Sequence, residues 1–218
     1  LHPDVFQLKP GIMYRDDALV AVDKPSGMIV HRTTGARDPV TVMSFVRDTV
    51  GAFVYPVHRL DRGTSGIVLV ALTQAAASWL GRRFELGEVR KTYYAVVCGE
   101  VTDPGRIDVP LDEREASTEY EPVSTQAGFS LLRIRPLQGR KHQIRRHLQS
   151  VGWPVLGDTD YGDAATNERA TATWGTERLA LHASSLRFVH PVTRETMEVE
   201  APLPDNLRRP LDQMGLVL

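Results

Sequence analysis

The sequence predicts an α+β fold with a substantially antiparallel sheet, and three observations carry that expectation. The apolar run Ile67-Val68-Leu69-Val70-Ala71-Leu72 is short, rich in β-branched residues and preceded by a Gly turn, as a buried strand is. Residues 89–97 alternate, with Val89, Lys91, Tyr93, Ala95 and Val97 on one face and Arg90, Thr92, Tyr94 and Val96 on the other. Strand-like and helix-like segments also follow one another in mixed order, not in the regular β-α-β alternation of a parallel sheet.

The elements follow along the chain. Residues 12–23 read as two short strands around the turn Arg15-Asp16-Asp17, ending at Lys24-Pro25-Ser26-Gly27. A Gly-Pro loop near 35–39 leads to a helix at 40–50, with Pro39 suited to its first turn. An Ala-rich helix at roughly 74–86 carries Ala76, Leu80 and Phe84 at helical spacing. The polar stretch 102–117 reads as loop, strands are expected at 118–124 and 128–136, and Gln138–Ser150 as turn then helix. Residues 164–176 read as a further loop. Strands recur near 179–189 and 196–201, and Asp205 is placed to cap a last short helix.

Composition bounds the function without choosing one. The chain of 218 residues is 42% hydrophobic and 24% charged, ordinary for a globular protein with a sizeable core. No apolar stretch approaches the roughly 18 residues that span a bilayer. No signal peptide is visible at the start, Leu1 is not an initiator methionine, and a cytoplasmic location is the default expectation. A single cysteine, Cys98, excludes an internal disulfide and a multi-cysteine zinc site. The net charge of −1 leaves room for nucleic acid, because a local basic stripe suffices to contact phosphates. The basic residues are almost all arginine, which pairs bidentately with phosphate and stacks on bases; genomic base composition explains the scattered ones equally well.

Two segments concentrate chemistry. His58-Arg59-Leu60-Asp61-Arg62-Gly63-Thr64-Ser65-Gly66-Ile67 sets one carboxylate between two arginines, on a loop braced by the buried strand that follows. Alone, it reads equally as a charged turn neutralised by Arg59 and Arg62. Gly139-Arg140-Lys141-His142-Gln143-Ile144-Arg145-Arg146-His147-Leu148, if helical, has Ile144, Leu148 and Val151 on an apolar stripe. His142, Arg145, Arg146 and Gln149 then share another face, suited to a phosphate backbone or simply solvated. Tyr93, on the same strand face as Lys91, offers an aromatic platform and a phenol, or ordinary core packing. The Asp158–Asp163 loop lacks the ligand series of a calcium loop and reads as a turn. No Walker A run, dinucleotide fingerprint, H-E-x-x-H or G-x-S-x-G elbow is present.

Taken in order, Lys24-Pro25-Ser26-Gly27 with Val30-His31, His58-Arg59-Leu60-Asp61 with Thr64-Ser65-Gly66, and Gly139-Arg140-x-His142-Gln143-Ile144-Arg145 resemble the RluA family of RNA pseudouridine synthases. Lys91-x-Tyr93-x-Ala95 with Gly99, Pro154-Val155-Leu156-Gly157-Asp158, and Leu181-His182-Ala183 with His190-Pro191 agree. The resemblance spans about residues 12–203 and is nearest the branch that modifies a uridine in the tRNA acceptor region. It implies the pseudouridine synthase fold, a long mixed sheet flanked by helices with a central catalytic cleft, in a single catalytic domain over 12–218 after a short lead at 1–11.

The activity implied is isomerisation of a uridine already in RNA: the C1′–N1 bond breaks and the uracil rejoins through C5 after the base is flipped from its stack. By similarity Asp61 is the catalytic carboxylate, with attack on C1′, addition to the ring or removal of the 2′ proton left open. Arg145 is its ion-pair partner and Tyr93 stacks on the uracil. Arg59 enters the space that the base vacates. Lys24, His58, Arg62, Arg140, Lys141, His142 and Arg146 are implied RNA contacts. No metal or other cofactor is implied, the partner is RNA with tRNA favoured over ribosomal RNA, and a monomer is assumed. The competing readings are a non-catalytic RNA-binding module, which has no need of a carboxylate facing a polyanion, and a hydrolase using Asp61 as general base, which lacks a second acid or metal site. With no long N-terminal segment, the loops at 102–117 and 164–176 are the expected readers of RNA.

Overall fold

In a computed structural model, which describes residues 9–32, 38 and 40–218, ten strands share one open sheet flanked by five helices. The strands are β1 (Gly11–Arg15), β2 (Leu19–Lys24), β3 (Tyr55–Pro56), β4 (Ser65–Ala71), β5 (Arg90–Cys98), β6 (Gly105–Ile107), β7 (Thr118–Gln126), β8 (Phe129–Pro136), β9 (Leu181–Val189) and β10 (Thr196–Glu200). Their hydrogen-bonding order is β1-β2-β4-β9-β5-β8-β7-β6, with β3 on β4 and β10 on β9. The helices are α1 (Val42–Val50), α2 (Gln74–Glu85), α3 (Gln143–Ser150), α4 (Ala164–Trp174) and α5 (Asp205–Met214). The chain divides into two compact units, one comprising residues up to Arg90 with Ser185–Ala201, the other Lys91–Ser184 with Pro202–Leu218.

In the first unit every residue of β4 is buried, as its unbroken apolar run requires. β2 pairs with it antiparallel from Leu19↔Ala71 to Lys24↔Gly66. Leu19, Ala21, Ile67, Leu69, Leu80, Leu186 and Phe188 share one core cluster, onto which α2 lays Leu80. Thr41 caps α1 in a reciprocal capping box with Ser44. The expected loop at 35–39 and the role of Pro39 fall largely outside the described residues.

In the second unit β5 sits between two cores, as its alternation requires. Ala95, Val97 and half-buried Tyr93 face one cluster, with Ile134, Ile144 and Leu148; Val96 and Tyr94 face another, with Leu131, Leu207 and Leu211. β5, β8, β7 and β6 pair antiparallel in sequence.

Three expectations are corrected. Residues 164–176 are not a loop: Ala164–Trp174 is a helix, capped by Asp163 and closed by Gly175 in the left-handed region. Only Ala170 of it is buried, so it has no apolar stripe for a sequence pattern to reveal. The 102–117 segment contains β6 and a bridge between Leu111 and Arg114. Asp205 is the first residue of α5, and its N-cap is Pro204.

Candidate active site

In the first unit, the two motifs Lys24-Pro25-Ser26-Gly27 and His58–Ile67 form one physical piece. Lys24, fully buried at the end of β2, donates from Nζ to the carbonyls of Pro25 (3.0 Å), Met28 (2.8 Å) and Arg62 (3.2 Å). Ser26 Oγ donates to the Gly63 carbonyl at 2.6 Å, and the Gly27 amide to that of Arg62 at 2.8 Å. The Thr64 amide closes the turn on the Asp61 carbonyl at 3.1 Å, and β4 begins at the next residue. His58 Nε2 accepts from the Leu69 amide at 2.9 Å while its ring stacks on Phe84 at 4.4 Å. An Nε2 that accepts places the ring proton on Nδ1. Half-buried Asp61 thus rides on a turn tied to two strands and a helix.

The three basic residues of this piece have different surroundings. Lys24 is interior, its ammonium directed at backbone carbonyls. Arg62 forks Asp38 at 2.6 and 2.8 Å and also donates to the Gly27 carbonyl. These bonds hold the Asp38 carboxyl below the usual carboxylate range. Arg59 is exposed and makes no hydrogen bond or ion pair among the described residues.

In the second unit, Tyr93 lies opposite Ile134 of β8. Lys91, two residues earlier on the same face, is 8% exposed and donates to the Gln138 carbonyl at 2.8 Å. Burial lowers its pKa to about 8. That bond leads into the basic segment, where α3 begins at Gln143 after His142 in the left-handed region (φ 53°). Ile144 and Leu148 are buried as the helical spacing predicts, whereas Val151 caps the helix and is 40% exposed.

The expected phosphate face of α3 does not form as one surface. Arg145 is 6% exposed; its Nε and Nη2 fork Asp158, both at 2.6 Å, and Nη2 also meets Asp160 at 2.7 Å. Arg146, about 100° further round the helix, is part-exposed and forks Asp112 at 2.9 and 3.0 Å. Lys141 is exposed. Arg140 donates from Nε to the Glu115 carbonyl at 3.0 Å. His142 Nδ1 lies 3.1 Å from the Tyr161 hydroxyl, and the guanidinium of Arg145 stands 4.9 Å from the Tyr161 ring.

Sequence reasoning missed the residues that hold α3. Asp158 is fully buried; burial pushes its carboxyl up, but the Arg145 fork and the Asp160 and Tyr161 amides prevail and hold it below its ordinary range. The helical spacing put Arg145 on the face away from the apolar stripe, so no sequence signal pointed to Asp158; a carboxylate is required only because the fold buries that arginine. Gln143 donates to the Ser117 carbonyl at 2.9 Å and accepts from the Arg140 amide at 3.0 Å. His147 meets Thr118 Oγ1 at 2.9 Å and the Val109 carbonyl at 2.8 Å, and burial lowers its pKa. The Asp158–Asp163 segment is the expected turn, its first carboxylate committed to Arg145. Among the described residues, no group of three or more His, Cys, Asp and Glu is placed to hold a metal ion, and no helix is long and apolar enough to cross a membrane.

Comparison with known proteins agrees with the motif order. Residues 18–150 match the family model described as RNA pseudouridylate synthase. The chain is 38% identical to the tRNA pseudouridine synthase C of Haemophilus influenzae over 94% of this chain and 97% of that one. It is 40% identical to the protein of the same name from Pasteurella multocida over 86% and 89%. Among solved structures, Human RNA Pseudouridylate Synthase Domain Containing 4 superposes with a TM-score of 0.80 at 23% identity over 95% of this chain and 94% of that one, a likeness of fold. Human RNA Pseudouridylate Synthase Domain Containing 1 gives 0.74 at 26% identity over 90% and 84%. A family model covering more than half the chain, and relatives this similar along nearly their whole length, make the chain a member of the RNA pseudouridylate synthase (RluA) family.

Proposed function

We propose that this protein converts a uridine of tRNA to pseudouridine, with Asp61 supplying the catalytic carboxylate. The observation that carries the reading is its 38% identity, across 94% of its length, to a relative named tRNA pseudouridine synthase C. The braced turn under Asp61 supports it: a carboxylate that must act on one atom of a flipped nucleotide gains from a backbone that cannot drift. Tyr93 serves as the platform for the detached uracil, since an aromatic face stacks on a base whatever its orientation during the turnover. Arg145, by similarity, is the ion-pair partner of Asp61. Arg59, exposed and without a hydrogen-bond partner among the described residues, is available to fill the gap left by the base. The reaction exchanges one C–N bond for one C–C bond without net oxidation, and the chain over 12–218 works as one catalytic domain.

The test is release of tritium to water from unmodified tRNA labelled at uridine C5, measured for the parent and Asp61→Asn. The parent releases label, and the variant is slower by roughly a thousandfold or more, within the range for loss of an acid–base or nucleophilic group. A parent that binds tRNA without releasing label would favour a binding module instead.

A further inference from the structure

Between β6 and β7 the chain makes a tight turn that the basic helix holds. Leu111 and Arg114 exchange backbone hydrogen bonds at 2.9 and 3.1 Å, and both residues between them have positive φ, Asp112 at 53° and Glu113 at 60°. Such a two-residue turn ordinarily has Asn-Gly or Asp-Gly, because a side chain with a Cβ resists this region. Here the second position is a glutamate, so local preference does not account for the turn. Contacts from the Gly139–Leu148 segment do: Arg146 forks the Asp112 carboxylate, His147 meets the Val109 carbonyl, and Arg140 donates to that of Glu115. Lys141 and Arg114 add to the positive field at Asp112.

We infer that Arg146, with Lys141 and Arg114, forms a site for a backbone phosphate of the RNA, and that in the free protein the Asp112 carboxylate occupies it as an internal competitor. A guanidinium fork accepts carboxylate and phosphate in the same planar, bidentate geometry. The pair is open to solvent, with Arg146 25% and Asp112 67% exposed, so it is weak enough to exchange. RNA arriving at α3 takes the fork from Asp112, and the turn is released from the helix at that point. This inference rests on the reading of the chain as an RNA-acting enzyme, and it gives Asp112 a part that neither motif order nor similarity assigns.

The experiment is filter binding of an unmodified tRNA transcript across a salt series, with the parent, Asp112→Asn, Glu113→Gln, Arg146→Ala and the double variant Asp112→Asn/Arg146→Ala. Asparagine tolerates the left-handed region, so Asp112→Asn keeps the turn while removing the competing charge. Its dissociation constant falls by about two- to five-fold, the range for freeing an exposed ion-pair partner. Glu113→Gln, which loses the same charge one residue away, tightens binding much less. Arg146→Ala weakens binding and flattens the slope of log K against log salt by about one phosphate contact. In the Arg146→Ala background, Asp112→Asn adds nothing. The inference is overturned if Asp112→Asn binds no tighter, if Glu113→Gln matches it, or if the gain persists without Arg146. A parent that binds no RNA removes the RNA reading and this site with it; binding without tritium release removes only the catalytic reading.

Discussion

Lys91 illustrates how a single residue can belong to a motif and still work against stability. Its ammonium is buried, and the Gln138 carbonyl is its one hydrogen-bond acceptor among the described residues. With a folded pKa of about 8 against an ordinary 10.5, the folded state gives up the proton first. Below pH 8 both states are protonated and the full burial penalty stands. Between pH 8 and 10.5 the unfolded chain binds more proton than the folded one, so stability rises with pH. At roughly 1.4 kcal/mol per pKa unit the penalty at neutral pH is on the order of 3 kcal/mol, offset in part by the hydrogen bond. The free energy of unfolding of the parent, followed by urea titration from pH 7 to 10, therefore gains on that of Lys91→Met as pH rises. Parallel curves would show that Lys91 is not desolvated. The alternation of 89–97 placed Lys91 on the face of Tyr93, but a two-fold pattern says nothing of how deeply that face is buried.

At the scale of elements, strands and capped helices follow from local sequence, and the pairings that orient α3 do not. β4 was legible because an apolar run has no other stable location; α1 was expected from the Gly-Pro loop before it, and the structure adds the Thr41–Ser44 capping box that satisfies free amides of its first turn. α4 was not, because its Ala- and Thr-rich turns bury almost nothing. Arg145 and Arg146 are adjacent in sequence, yet one turns inward to Asp158 and the other outward to Asp112. The first pairing depends on Gly157, which has φ 75° and lies where a Cβ would meet the Arg178 carbonyl oxygen. Gly157→Ala is therefore expected to lose about 2 kcal/mol or more of stability in urea unfolding, because strain and overlap act together. A change within about 0.5 kcal/mol would show that the segment yields easily. Asp158 moves with that segment, so turnover in the variant falls even under conditions where it stays folded.

At the scale of the whole molecule, a net charge of −1 means that affinity for a polyanion must come from few local contacts. Many arginines are already paired with carboxylates, among them Arg62, Arg106, Arg133, Arg135 and Arg145. Arg59 and the single site that Arg146, Lys141 and Arg114 form once Asp112 is displaced leave about two positions for phosphate. At a slope of about 0.7–0.9 per contact, raising salt from about 50 to 200 mM weakens tRNA binding by roughly 7- to 12-fold. A much steeper dependence would mean that further basic residues reach the RNA.

The sequence by itself determined the family, the α+β class, the principal strands and the residues proposed for the chemistry, because these depend on side-chain type, spacing and local hydrogen bonding. Asp61 was identified by its motif and the strand after it, and the structure adds the bracing of its turn by Lys24 and Ser26. Only tertiary structure decided which charges are spent and which are presented. Lys24 turned out interior, Arg62 belongs to Asp38, Arg145 to Asp158 and Asp160, and Arg146 to Asp112. Each pairing joins segments more than ten residues apart or depends on burial at a single depth. Those are properties of the assembled fold that no local pattern of residues encodes.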